Sequence, residues 1–409
     1  MRYAWITLIG CVGAAVLLIA MTIPSTGLAA LHPHVDVARD FTHAQIAREK
    51  AYHAAGRPWA YSSMLVSLVF AGFLGLTSWG ARLVGGVPGH WTVKALGGAA
   101  LLLALGQVVT LPLDVKAEQV LRRYGLSTQT WAGWTDDWLR GLAVQVVMTG
   151  IAVLVVLTLV RRLPGHWWAA GAVAAVVLTL GGSYVYPTVV EPVFNSFTPM
   201  APGPLRTELL ALAEKDHVHV KDVLVADASR RTTALNAYVS GFGSSRRIVV
   251  YDTLIRDASA KEVELVVAHE LGHAKRQDVL VGTLIGGLFA AAGVCGLFLL
   301  LSSSSLLGRV GASGAGDPRV LPFVLFLAAA VPLLVSPFTN LLSRHVEARA
   351  DLHSLELTGD APTFIEVEKR LDVTNLSDLD PNPLVYGFFF THPSGPQRIA
   401  MARAWESRR

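Results

Sequence analysis

Seven charge-poor apolar segments run through the chain, and each is long enough to cross a lipid bilayer as a helix. They lie at residues 4–24, 62–81, 95–113, 142–160, 167–187, 279–301 and 320–339. Over all 409 residues, 52% of the side chains are hydrophobic, only 16% are charged, and the mean hydropathy is +0.47. Soluble domains carry about 25% charged residues. The composition therefore predicts a mainly α-helical integral membrane protein with about seven transmembrane helices.

The first apolar segment has a second interpretation. Arg2 precedes it and the small residues GLAA follow at 27–30, which resembles a cleaved secretory signal. Its apolar run is longer than the roughly 7 to 15 residues of such signals, and this favours a retained helix. With all seven helices retained, the two termini lie on opposite sides of the membrane.

The distribution of Lys and Arg predicts the orientation. Loops 25–61 and 114–141 carry four positive charges each, whereas loops 82–94, 161–166 and 302–319 carry two each. Short loops rich in Lys and Arg stay in the cytoplasm. We therefore predict an N-terminus outside and a cytoplasmic C-terminus, and the richness in Ala, Gly, Val and Arg suggests a bacterial cell membrane.

Cysteine usage and net charge exclude two further classes of site. Cys11 and Cys295 both fall within predicted spans, so they indicate neither a disulfide framework nor a cysteine metal site. The net charge is only +4, and the membrane orientation already explains where the excess lies. We expect the lipid bilayer, and no nucleic acid, as a partner.

Two polar stretches are long enough to fold outside the membrane. The predicted division is five membrane helices in 1–187, a first soluble part in 188–278, membrane helices six and seven in 279–340, and a second soluble part in 341–409. Both soluble parts face the same side and can form one domain. DVLVADAS and RIVVYDTL alternate as strands do, and SGFGSSRR between NAYV and IVVY is typical of a hairpin turn, which predicts a small sheet.

The stretch HELGH at 269–273 predicts a metal site. Ser259 followed by Glu262 forms a capping box, and apolar spacing extends the predicted helix over 260–277. His269 and His273 then share one helix face and can bind one zinc ion, while Glu270 can hold a water molecule.

A third ligand has to come from elsewhere in the chain. Glu347 is the first glutamate after the predicted helix, although Asp278, Asp317 and His345 also compete for the role. Three protein ligands leave a fourth position for water, as in catalytic zinc sites. Asp351, four residues after Glu347, can accept the free ring N–H of a liganded histidine.

With these motifs in place, the chain resembles the type I CAAX prenyl endopeptidases, which are integral-membrane zinc metallopeptidases of the gluzincin group. The matching motifs are FNSFTPM at 194–200, NAYVSGFG at 236–243, VVYDTL at 249–254, HELGH at 269–273, NLLSRHVEARAD at 340–351 and THPSGPQRI at 391–399. The resemblance implies an α+β zinc-protease domain with a small sheet, and membrane helices that enclose a hydrated chamber.

The resemblance also implies roles for individual residues. Zinc, one ion per chain, would be bound by His269, His273 and Glu347, with Glu270 as general base. His392 would stabilise the oxyanion, and a surrounding layer would support the ligands. That layer comprises Asp351, Arg398, Asn340 and Arg344. An edge strand carrying Asn236, Ala237 and Tyr238 would bind an extended peptide substrate.

Three functions are compatible with these features. The first is removal of the C-terminal tripeptide that follows a prenylated cysteine. The second is quality-control cleavage of membrane proteins, and the third is transport, with a structural zinc. The third is disfavoured, because structural zinc sites fill all four positions with Cys or His. The sequence does not indicate the physiological substrate, how it enters, the regulation or the oligomeric state.

Overall fold

The computed structural model describes residues 1–23, 35–241, 243 and 246–409. The GLAA stretch at 27–30 and three residues of the predicted hairpin turn, at 242, 244 and 245, lie outside this part. In the described part the helices, in chain order, are α1 Arg2–Thr22, α2 Val37–Asp40, α3 His43–Leu76, α4 Ser78–Gly86, α5 Trp91–Arg123, α6 Trp131–Arg162, α7 Trp167–Val185, α8 Glu191–Phe194, α9 Pro204–Lys215, α10 Asp252–Asp257, α11 Ala260–Arg276, α12 Asp278–Leu301, α13 Ser304–Val310, α14 Leu321–Thr358, α15 Ala361–Asn375, α16 Pro383–Phe389 and α17 Gly395–Glu406.

Seven of these helices are long and apolar enough to cross a membrane, which confirms the prediction. They are α1, α3, α5, α6, α7, α12 and α14. Helices α3, α5 and α6 have 34, 33 and 32 residues, whereas about 20 suffice to span the apolar layer. Their polar ends therefore project beyond the membrane toward the rest of the chain.

Several helices have ends that differ from the predicted spans, and two of these ends matter for the fold. The span predicted at 62–81 is wrong at its end, because α3 stops at Leu76 and the Thr77 hydroxyl accepts a hydrogen bond from the Trp79 amide to begin α4. The helix that contains the seventh predicted span does not end at 339, since α14 continues without a break to Thr358. One helix thus carries both the last membrane span and Glu347.

The sheet has four strands in the order β1, β2, β4, β3. They are β1 Phe197–Pro199, β2 Asp222–Ala226, β3 Ala237–Ser240 and β4 Arg247–Tyr251. Strand β4 pairs parallel to β2 and antiparallel to β3, so the predicted pairing of NAYV with IVVY is confirmed. Within the part of the chain that the structure describes, strand β3 lies at the edge of the sheet and pairs only with β4.

Helix α11 forms as its sequence predicts and packs on this sheet. The Ser259 hydroxyl accepts from the Glu262 amide, and the Glu262 carboxylate accepts from the Ser259 amide, which completes the capping box. Val263, Val267 and Leu271 on its inner face are fully buried. Each such side chain contributes about 1.5–3 kcal/mol by leaving water, so the face that opposes the sheet is fixed.

Candidate metal and peptidase site

Helices α11 and α14 cross closely enough to bring three donor atoms together. A Cβ atom added at Gly272 would lie 3.1 Å from the His353 ring, so the glycine of HELGH allows this approach. The Nε2 atoms of His269 and His273 are 3.1 Å apart. Glu347 Oε2 lies 3.2 Å from the first of these atoms and 3.4 Å from the second. Helix α14 thus supplies the predicted third partner.

Each histidine ring is oriented by a carboxylate on its Nδ1 side. His269 Nδ1 donates to Asp351 Oδ1 at 2.7 Å, as the sequence predicts. His273 Nδ1 donates to Asp278 Oδ2 at 2.9 Å. These contacts place a proton on Nδ1 and make Nε2 the atom that is available to a metal. Asp278 is therefore an orienting residue rather than a competing ligand.

The three donor atoms fit a divalent metal. A tetrahedral zinc with bonds of about 2.0–2.1 Å has ligand-to-ligand edges of about 3.3 Å, close to the three separations found here. Within the described residues, Glu347 Oε2 is buried and accepts no hydrogen bond of normal geometry. A buried carboxylate oxygen in that state is costly unless a cation compensates it. The chemistry of two imidazoles and one carboxylate suits zinc.

The charges around the site set the protonation of the two rings. Burial disfavours a charged His269, but its hydrogen bond to Asp351 and its 3.2 Å contact with the Glu347 carboxylate outweigh this and raise the pKa of His269 to about 10. Burial is likewise outweighed at His273, where Asp278 and Glu347 raise the pKa to about 9. A metal must therefore displace protons from both rings at neutral pH.

Glu270 and the edge strand meet at one cavity. This cavity of about 670 Å³ is lined by Glu270, His273 and Glu347 together with Asn236, Ala237, Tyr238 and His392. Burial raises the pKa of Glu270, which moves the carboxylate toward the range of a general base. The structure thus gathers the predicted base, two of the three predicted metal ligands and the predicted substrate strand around the same space.

The segment between α16 and α17 carries His392. Its Nε2 lies 3.1 Å from Glu347 Oε2, and about half of the side chain (56%) is exposed. Asn340 Nδ2 donates to the Phe388 carbonyl at 2.7 Å, and Arg344 donates to the Phe390 carbonyl at 2.7 Å. Both predicted supporting residues therefore hold this segment against α14 instead of contacting a histidine ligand.

Arg398 supports the first histidine through Asp351. It forms an ion pair with Asp351, which is fully buried, and a second one of 2.7 Å with Glu368. Asp351 alone would be a buried negative charge, and the guanidinium compensates it. The predicted supporting position of Arg398 matches this geometry, whereas Glu368 has no sequence signal that sets it apart from other acidic residues on α15.

Arg349 supports the second histidine in the same way, and the sequence did not single it out. Its guanidinium forms an ion pair with Asp278 and donates to the Thr22 carbonyl at 2.8 Å. That carbonyl lies at the end of α1, where helix carbonyls lack partners within the helix. The contact joins the first membrane helix to the orienting carboxylate of His273.

We expect Arg349→Met to release zinc about 10- to 100-fold faster, because loss of an outer partner weakens metal binding by about this factor. The measurement is transfer of zinc to a colorimetric chelator from purified protein. Arg349→Lys keeps the charge beside Asp278 and should recover part of the loss. The matched control is Arg370→Met, which breaks the 2.7 Å ion pair to Glu262 at the start of α11. Equal release rates in the two Met variants would contradict this role.

Comparisons with known proteins agree with this geometry. The family model described as peptidase family M48 matches residues 201–406. A second model, the CAAX prenyl protease N-terminal part with five membrane helices, matches residues 35–196. The structure is also similar to the crystal structure of S. mikatae Ste24p, with a TM-score of 0.79 and 21% identity, covering 98% of this chain and 99% of that one.

Curated relatives extend over most of the chain. The metalloprotease YhfN of Bacillus subtilis is 32% identical, covering 77% of this chain and 74% of its own. The CAAX prenyl protease 1 homolog of Arabidopsis thaliana is 28% identical, covering 80% and 79%. CAAX prenyl protease 1 of Saccharomyces cerevisiae is 27% identical, covering 73% and 70%. With its HELGH helix, its seven apolar helices and these matches, the chain belongs to peptidase family M48 and is a multi-pass membrane metallopeptidase of the CAAX prenyl protease type.

Proposed function

We propose that the protein is a zinc-dependent endopeptidase that hydrolyses peptide bonds at the membrane surface. The observation that carries this proposal is the triangle of donor atoms from His269, His273 and Glu347 beside the cavity that Glu270 lines. Helix α12 begins a few residues after His273, and Glu347 lies beyond the apolar part of α14. The site is thereby fixed between two membrane helices at one end of the bundle.

The proposed mechanism assigns each step to a side chain. A zinc ion in the triangle would polarise the scissile carbonyl and lower the pKa of a water molecule. Glu270 accepts a proton from the attacking water and later returns it to the leaving amine. His392 donates a hydrogen bond to the carbonyl oxygen as it becomes an oxyanion. The free edge of β3, at Ala237 and Tyr238, aligns the substrate backbone by strand addition.

We infer that the substrate ends in a CAAX-type sequence and that the protein removes the C-terminal tripeptide that follows the prenylated cysteine. Support comes from the plant and yeast relatives, whose names specify this activity, and from the match to the N-terminal part of CAAX prenyl proteases. Cleavage of other membrane proteins is the alternative outcome of the test. Membership of a peptidase family argues against the transporter interpretation.

The proposed topology has the N-terminus outside, with the peptidase site and the C-terminus in the cytoplasm of a bacterial cell. The support is the excess of Lys and Arg in loops 25–61 and 114–141 relative to the loops at the other end. If all seven apolar helices cross the membrane, the two termini lie on opposite sides. A prenylated substrate in the cytoplasmic leaflet would lie at the level of the site.

The test is a paired cleavage assay on the purified protein in detergent. A farnesylated CAAX peptide and its unprenylated twin are compared, with zinc content measured on the same sample. We expect the prenylated peptide alone to lose its tripeptide, because the lipid would hold it at the membrane end of the cavity. Equal cleavage of both peptides would contradict the prenyl-specific proposal and direct the search to membrane proteins. Failure to cleave any peptide with zinc bound would contradict the endopeptidase assignment.

A further inference from the structure

A second polar cavity lies at the end of the membrane helices opposite to the peptidase site. Its volume is about 620 Å³, and it is lined by residues of α4, the start of α5, the end of α6 and the segment before α14. Helix α14 begins at Leu321 beside this cavity and reaches Glu347 at the peptidase site. At about 1.5 Å per residue, the two sites are separated by about 40 Å along the helix.

Three cationic side chains and one carboxylate line this cavity. The cations are Lys94, Arg161 and Arg319, and the carboxylate is Asp317. Asp317 already accepts from the Ser313 amide at 2.9 Å, the Ser313 hydroxyl at 2.7 Å and Arg319 Nε at 2.8 Å. Its negative charge is thus engaged within its own segment. The lining side chains carry a net charge of +2.

Arg161 is held in place by two contacts, whereas Lys94 is not paired in the part of the chain that the structure describes. Arg161 donates one N–H to the Gly316 carbonyl at 2.9 Å and lies over the Trp91 ring, 4.8 Å from its centre. The Arg161 Cγ atom packs on Gly316, because a Cβ added at Gly316 would lie 3.2 Å from it. Within the described residues, the half-buried Lys94 has no hydrogen-bond or ion-pair partner. Both side chains line the cavity.

The amino end of α5 adds positive potential to the same place. The first turn of α5 contains no acidic residue, and the His90 side chain at the N-cap contacts the Thr92 hydroxyl at 3.1 Å but accepts from no backbone amide of the helix. Helix amino ends carry a partial positive charge, so Lys94 just inside this end is in an unfavourable position. An anion beside Lys94 would relieve both charges.

We propose that this cavity binds a phosphate-type oxyanion, which clamps α5, α6 and the segment that leads into α14. Phosphate oxygens match the forked donors of arginine and the point charge of lysine. Basic pockets between membrane helices are suited to the headgroups of anionic lipids. Trp91, whose ring lies under Arg161, is the kind of side chain expected at a membrane interface. The oxyanion is thus the headgroup of an anionic phospholipid or a soluble phosphate.

The test compares these two sources on the delipidated full-length protein. One arm transfers the protein into nanodiscs of phosphatidylcholine with or without phosphatidylglycerol, and the other adds inorganic phosphate in detergent. Thermal unfolding and native mass spectrometry report binding. Lys94→Gln removes the unpaired cation, and Arg162→Gln is the matched control. Arg162 is exposed at the same end of α6 and does not line the cavity.

We expect phosphatidylglycerol to raise the melting temperature of the wild type and of Arg162→Gln. Its binding to Lys94→Gln should be at least about tenfold weaker, since one charge-assisted contact is lost. Lys94→Arg should restore binding. A rise in melting temperature with phosphatidylglycerol alone identifies the ligand as a lipid headgroup. A rise with inorganic phosphate as well identifies a site for soluble anions. If Lys94→Gln does not fold, Arg161→Gln replaces it. No shift with either probe, or equal binding by Lys94→Gln and Arg162→Gln, would overturn the proposal.

Discussion

Glu270→Gln should keep its zinc and lose activity by about 10²- to 10⁴-fold, the range that a general base contributes. Glutamine has nearly the same shape but cannot accept the proton of the attacking water. The substitution leaves His269, His273 and Glu347 unchanged, so their donor atoms remain 3.1–3.4 Å apart. The measurement is kcat on the cleaved peptide, with zinc content determined by atomic absorption on the same preparation.

Glu264→Gln is the matched control for this prediction. Glu264 lies on the same helix, α11, and does not line the cavity that contains Glu270. We expect its activity to equal that of the wild type. Normal turnover by a zinc-loaded Glu270→Gln protein would remove Glu270 from the role of base, and loss of zinc from that variant would show that the residue supports the metal instead.

The elements that could be predicted from the sequence are those with local signals. Long apolar runs predict membrane helices because no other arrangement satisfies their backbone in lipid. Ser259 and Glu262 define the start of α11, and the four-residue spacing of His269 and His273 places both rings on one face. Glu347 could be predicted because glutamates are absent from the chain between Leu271 and Val346.

The residues that the sequence did not reveal depend on backbone geometry or on distant contacts. Asp278 reaches the His273 ring because Gln277 between α11 and α12 adopts a left-handed conformation with φ of 56°. Residues other than glycine seldom adopt this conformation, so no sequence motif predicts it. Arg349 acquires its role only when α1 packs beside α12 and presents the Thr22 carbonyl.

Asn340 and Arg344 lie near the site but contact neither histidine ligand. The resemblance implies that Asn340 and Arg344 belong to the layer around the metal ligands, yet their donors go to backbone carbonyls between Tyr386 and Phe390. They act on the site by placing the segment that carries His392. Sequence alone could not show this, because the segment is more than 40 residues away along the chain.

The role of His392 leads to the second prediction, a fall in kcat of about 10²- to 10³-fold for His392→Ala, as for loss of an oxyanion donor. His392 Nδ1 contacts the Thr391 hydroxyl at 2.9 Å, which turns Nε2 toward the site. A hydrogen bond that forms mainly in the transition state lowers kcat when it is lost and leaves KM nearly unchanged. Steady-state kinetics on the cleaved peptide separate the two constants.

The 3.1 Å contact between His392 Nε2 and Glu347 Oε2 offers a competing explanation that the same variant can test. If His392 acts by holding the ligand Glu347, His392→Ala should release zinc faster, whereas an oxyanion donor leaves zinc release unchanged. His345→Ala is the matched control, because the His345 ring contacts the Leu341 carbonyl of its own helix. His392→Gln, which retains an N–H donor, should recover part of kcat. Unchanged kcat in His392→Ala would remove the residue from oxyanion stabilisation, and unchanged zinc release as well would show that it does not hold Glu347.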